Sequence, residues 1–103
     1  MSIELGVKMP AYFIVDVDVQ NPAGMREYLE RVPGTLAKYG GRYIVRGGQF
    51  EVVEGDWQPT RVVMLEFPNM EQAKRWYGCE EYGEMKVARL KAAKTNMVLV
   101  EGV

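Results

Sequence analysis

The chain has 103 residues, 13 basic and 14 acidic side chains, a formal charge of −1 and no histidine. That length, with five prolines and no long polar tract, describes one domain around a single ordinary core. Charge spread along the whole chain leaves no electrostatic footprint for nucleic acid or an anionic membrane. The missing histidine excludes serine–histidine and cysteine–histidine hydrolysis, imidazole-bound zinc and histidine-ligated haem.

Residues 1–8 read as a loose leader before a domain over 9–103, and no apolar stretch approaches membrane-spanning length. The lone Cys79 cannot close an internal disulfide, so a soluble chain with the cytoplasm as its compartment is expected. Segment AYFIVDVDV (11–19) alternates Phe13, Val15 and Val17 with Tyr12, Ile14, Asp16 and Asp18, the two-residue period of a strand. Asn21-Pro22 then supplies a cap and a first-turn proline for a helix with Met25, Tyr28, Leu29, Val32 and Leu36 at helical spacing. Pro33-Gly34 is expected to kink or divide that helix, and Gly40-Gly41 to stop it.

A second strand is expected over 42–46, with Arg42, Ile44 and Arg46 on one face and Tyr43 and Val45 on the other. QFEVVE (49–54) then has the composition of a short strand and EGDW (54–57) of a turn, together a hairpin extending from the sheet. RVVMLEF (61–67) is a nearly continuous apolar strand ended by Pro68. Asn69 caps the next helix, with Gln72 three residues on; Met70, Ala73, Trp76 and Tyr77 form its first segment, Gly78 interrupts it, and a second segment runs from about Glu80 to Ala93. NMVLVEGV (96–103) is the last strand. The order βαββαβ predicts an α+β, ferredoxin-like antiparallel sheet, with strands one and three central and helices on one face. Apolar positions on both sheet faces call for a second cover, supplied most simply by a homodimer.

GGRYIVRGG, EGDWQPTRVVMLEF, WYGCEEY and the terminal NMVLVEGV together resemble the DUF1330 family, a branch of the dimeric α+β barrel superfamily. The resemblance spans Met9 to Val103. It implies a ferredoxin-like protomer, a homodimer whose sheets form a barrel, and a pocket between sheet and helices, but no assigned activity. Positions matching the family pattern are Arg46, Arg61, Glu66, Trp76, Tyr77, Tyr82 and Arg89. Cys79-Glu80 stands where relatives carry serine-proline, which puts the sharpness of the helix break and the placement of Tyr82 in question.

Arg42 and Arg46 on a shared face suit a carboxylate or phosphate, although a solvated edge or an ion pair with Asp16, Asp18 or Glu66 is the plainer reading. Glu66, inside VVMLEF, is either a desolvated general base or half of a structural salt bridge. Trp76, Tyr77 and Tyr82 form either a flat slot for an unsaturated ligand or part of the core. Cys79 beside two glutamates reads as packing, and the Asp16/Asp18 pair lacks the companions of a metal site. The leading expectation is a small organic molecule, with an anion as one option, bound between sheet and helices, with no cofactor. Were the chain an enzyme, Glu66 would act as base, Arg46 would stabilise an oxyanion and the tyrosines would donate protons. A non-catalytic binding module and a dimeric scaffold are the alternatives.

Overall fold

The computed structural model describes residues 9–103; the leader expected over 1–8 lies outside them. The described elements are β1 (Ala11–Val19), α1 (Pro22–Lys38), β2 (Arg42–Arg46), β3 (Val62–Phe67), α2 (Met70–Gly78), α3 (Glu80–Ala92) and β4 (Ala93–Glu101). The strands form one antiparallel sheet in the order β2-β3-β1-β4, the ferredoxin-like arrangement with β1 and β3 at the centre.

Side-chain alternation separates the two faces. Ala11, Phe13, Val15 and Val17 of β1 are buried with Leu65 and Phe67 of β3 beneath the helices. The other face carries Tyr12, Ile14, Asp16, Val62, Met64 and Glu66, together with Asn96, Val98 and Val100 of β4. Val98 and Val100 keep 58% and 44% of their surface exposed, far more than a sheet face finished within one protomer would leave.

The helix ends follow the local chemistry of the chain. Asn21 accepts from the Gly24 N–H at 3.3 Å, and Pro22 occupies the first turn, where its missing N–H costs nothing. At the far end Gly40, at φ +78°, lets the Gly41 and Gly40 N–H groups reach back to the carbonyls of Leu36 and Ala37 at 2.8 and 3.2 Å, a Schellman closure. Asn69 caps α2 by accepting from Gln72 at 2.8 Å. Cys79 then serves both helices: its N–H donates to the Trp76 carbonyl, and its Sγ accepts from the Tyr82 N–H at 3.4 Å, starting α3. The sulfur thus caps α3 at the turn between the two helices.

Four expectations are corrected. Pro33 does not divide α1, which runs unbroken to Lys38. A proline there cannot donate to the Leu29 carbonyl, and the Arg46 guanidinium donates to that carbonyl instead, Nη2 to oxygen 3.0 Å. QFEVVE is not a strand: residues 47–61 are irregular and pair with neither edge of the sheet, and their far end is held instead by the Asp16 side chain, which accepts from Trp57 and Thr60. β4 begins at Ala93, directly after α3, three residues earlier than its apolar run suggests.

The fourth correction concerns β2. Tyr43 pairs with Leu65, but Val45 pairs with Met64, so Ile44 is an extra residue forming a bulge. Arg42 opposite Glu66 therefore lies on the open face, whereas Arg46 opposite Val63 turns towards the helices. The two arginines do not share a face.

Candidate functional site

Between the helices and the sheet lies a cavity of about 100 Å³, several times the ~10–15 Å³ that admits one water. Its walls are Val15, Val17, Val63 and Leu65 from the sheet and Met25, Tyr28, Leu29 and Val32 from α1, with Trp76 of α2 and Tyr82 of α3. Three arginines, Arg46, Arg61 and Arg89, line it, and no carboxylate does.

Arg89 is the unusual member. It sits one turn from the end of α3, only 4% exposed, and its Nε has no hydrogen-bond partner. Among the described residues no carboxylate pairs with it. Burial pulls against its charge, but the Tyr82 and Tyr28 hydroxyls beside the guanidinium outweigh that and hold its pKa up. The carbonyl end of α3 adds a favourable dipole. The two hydroxyls answer the guanidinium only in part, since its buried Nε stays without an acceptor and no countercharge is present among the described residues.

The tyrosines are arranged around it. The Tyr28 and Tyr82 hydroxyls lie 2.7 Å apart, and the Tyr82 ring stacks against Trp76 with centroids 4.0 Å apart. Trp76 is fixed in turn by its indole N–H, which donates to Thr35 Oγ1 at 3.0 Å, while Thr35 donates to the Val32 carbonyl at 2.8 Å. Burial, reinforced by the adjoining Tyr82, drives the Tyr28 pKa far above the ordinary tyrosine value. Burial also raises that of Tyr43, against the pull of Arg46. At neutral pH the Tyr28 and Tyr43 hydroxyls therefore stay protonated, and no carboxylate lines the cavity to act as a base.

At the mouth, Arg46 spans from β2 to α1, its guanidinium stacked 4.3 Å from the Tyr43 ring centroid while it donates to Leu29. Arg61, half-buried just before β3, packs its guanidinium over Gly47. Gly47 has φ +72°, and a Cβ there would overlap the Arg61 side chain, so this glycine is required on two counts.

The structure thus gathers Arg46, Arg61, Trp76, Tyr82 and Arg89 around one space. Glu66 and Tyr77 lie elsewhere. Glu66 is on the open face, accepting from Arg42 Nε at 2.8 Å and from the Tyr12 hydroxyl at 3.2 Å. The Arg42 guanidinium holds its carboxyl below the usual carboxylate range, with Tyr12 helping against a smaller opposing effect of burial. It is a salt-bridge partner on the far side of the sheet from Arg46, so the two cannot act on one atom within a protomer. Tyr77 packs beside Phe13, ring centroids 5.9 Å apart, and carries the Lys86 ammonium 4.2 Å from its own. Asp16 is engaged by the irregular segment, accepting from the Trp57 indole at 3.3 Å and the Thr60 N–H at 2.9 Å.

Tyr28 and Tyr43 belong to the cavity although the sequence reading placed them in the core stripe and strand pattern. Their signal was a polar tip on an otherwise buried position.

The Glu66 ion pair gives a pH test. A depressed folded-state pKa contributes stability that is present above the unfolded value, about 4.3, and is lost as pH falls through the folded value. The difference in Tm between wild type and Glu66→Gln is expected to hold steady above about pH 5 and to shrink below about pH 4. A difference that grows on acidification would contradict this pairing.

Solved structures share this ferredoxin-like α+β fold. SnoaB, a cofactor-independent oxygenase from Streptomyces nogalater, superposes with a TM-score of 0.68 at 14% identity, covering 92% of this chain and 94% of that one. RPA0582, a protein of unknown function from Rhodopseudomonas palustris, gives 0.73 at 17% identity over 93% and 84%. A conserved protein of unknown function from Bacteroides thetaiotaomicron, described as a possible oxidoreductase, gives 0.55 at 16% over 92% and 99%. No curated protein matches the chain. Residues 10–103 match the model of DUF1330, a domain of unknown function, and the chain belongs to that family. Among the described residues no helix is long and apolar enough to cross a membrane.

Proposed function

We propose that this protein binds a small organic anion in the cavity between sheet and helices, as one half of a homodimer whose open sheet faces close on each other. The observation that carries the ligand reading is Arg89: a guanidinium inside an apolar cavity, with a buried Nε lacking any acceptor. A carboxylate or enolate entering there would supply the missing acceptor and countercharge, while Trp76 and the valine wall receive its apolar part. The cavity is smaller than the ~300–1,000 Å³ of drug-sized sites, which favours a ligand of few heavy atoms.

A second reading, catalysis without a cofactor, draws support from the likeness to SnoaB. Its chemistry here would differ from the carboxylate-base scheme, because Glu66 faces away and no carboxylate lines the cavity. The substrate would have to ionise readily by itself, with Arg89 and the Tyr28–Tyr82 pair stabilising the anion. A scaffold with a filled interior is the least supported, since the cavity is present.

Thermal melts against benzoate and glutarate, with neutral benzamide as control, test the binding reading. At a concentration 100 times Kd an acid should stabilise by about 2.7 kcal/mol, a rise in Tm on the order of 10 °C for a chain of this length. Benzamide should give little. An equal response to acid and amide, or none to any acid, would overturn the reading.

A further inference from the structure

The three arginines of the cavity are not equivalent. Arg89 is interior, Arg61 is half-buried and Arg46 is exposed, so the positive charge lies at two depths. The rest of the wall is largely apolar, with Val15, Val63, Leu65 and Trp76 among its residues beside three tyrosines. Arg46 and Arg61 come from adjoining backbone: Gly47, directly after Arg46, donates to the Val62 carbonyl at 2.9 Å and lies beneath the Arg61 guanidinium. The bulge at Ile44 turns Arg46 towards this corner, and the left-handed Gly47 makes room for Arg61.

Neither mouth arginine is neutralised. Among the described residues no carboxylate forms an ion pair with Arg46 or Arg61, whereas Arg42 on the opposite face has Glu66. Arg46 commits one donor to the Leu29 carbonyl, leaving the rest of its fork available. Two adjoining guanidinium groups at the rim and a third inside repel one another, and a ligand with one negative group would answer only one end.

We propose that the ligand carries two acidic groups, one held by Arg89 inside and the other by Arg61 and Arg46 at the mouth, joined by a flat apolar spacer lying against Trp76. This rests on the reading of the cavity as an anion site and narrows it to a chemical class, short aromatic or unsaturated dicarboxylates. Planar guanidinium forks suit carboxylates at both ends, and the spacer suits the largely apolar rest of the wall.

Isothermal titration at low salt with benzoate, isophthalate, terephthalate and glutarate, on wild type, Arg61→Gln and Arg46→Gln, tests it. The better-fitting diacid should bind wild type at least tenfold tighter than benzoate. Arg61→Gln should erase that preference by weakening the diacid at least tenfold more than it weakens benzoate, with a melting curve close to that of wild type because its side chain breaks no ion pair. Benzoate binding as tightly as every diacid, or a diacid preference that survives in Arg61→Gln, overturns the two-ended ligand and leaves the anion site standing. Failure of every acid to bind takes down the anion site as well.

Discussion

Arg89→Met is expected to leave the stability of the protein close to that of wild type while removing its affinity for organic acids. Methionine replaces the aliphatic stem of the arginine and removes a buried Nε that has no acceptor, which offsets the loss of the guanidinium contacts with the Tyr28 and Tyr82 hydroxyls. Exchanging buried charged groups for apolar ones of similar volume is often neutral or stabilising. The Tyr28–Tyr82 hydrogen bond does not depend on the guanidinium and should persist. Loss of the interior cation should cost about 2–5 kcal/mol of binding, on the order of thirtyfold or more in Kd. The pairing of the two effects is what discriminates. Were Arg89 a structural strut, the variant would melt well below wild type; were it a bystander, acid binding would be unchanged. Melting curves and benzoate titrations on the same preparation separate the three cases.

The second large effect concerns the open sheet face. Ile14, Met64, Val98 and Val100 form an apolar strip there, and the irregular segment adds exposed Phe50, Val52, Val53 and Trp57. In an isolated protomer Val98→Asp is a surface substitution, worth within about 0.5 kcal/mol. In a homodimer closed through these faces, two new carboxylates would be buried without partners. The variant is then expected to sediment as a monomer where wild type is a dimer, and to lose the dependence of Tm on protein concentration. Identical sedimentation of the two proteins as monomers would remove the homodimer from the proposal.

The sequence makes the sheet order legible because β1 and β3 carry the densest β-branched and aromatic runs, and the caps at Asn21, Asn69 and Gly40 are written in residue types with local hydrogen-bonding roles. Long-range compensation is less visible. Nothing within α1 reveals that Arg46, seventeen residues beyond Leu29, will take over the carbonyl that Pro33 leaves without a donor. Nor does RYIVR mark Ile44 as an extra residue, since a bulge depends on how the neighbouring strand is registered. That single residue decides the site: without it Arg46 would lie beside Arg42 and Glu66, the arrangement that strict alternation implies. The sequence pointed to Arg46, Arg61, Trp76, Tyr82 and Arg89 together through family resemblance, but Glu66 came with them because the pattern along the chain does not state which face of β3 holds the cavity. Tyr28 was hidden for the opposite reason, as its ring completes the apolar stripe of α1 while its hydroxyl meets Tyr82.

The most direct test of the anion site is a crystal of the protein soaked with 4-bromobenzoate and measured at the bromine absorption edge. An anomalous peak between sheet and helices, with the carboxylate on the Arg89 guanidinium and the ring against Trp76, is the predicted result. A ligand found only on the open sheet face, or one inside the cavity with its carboxylate turned away from Arg89, would contradict it.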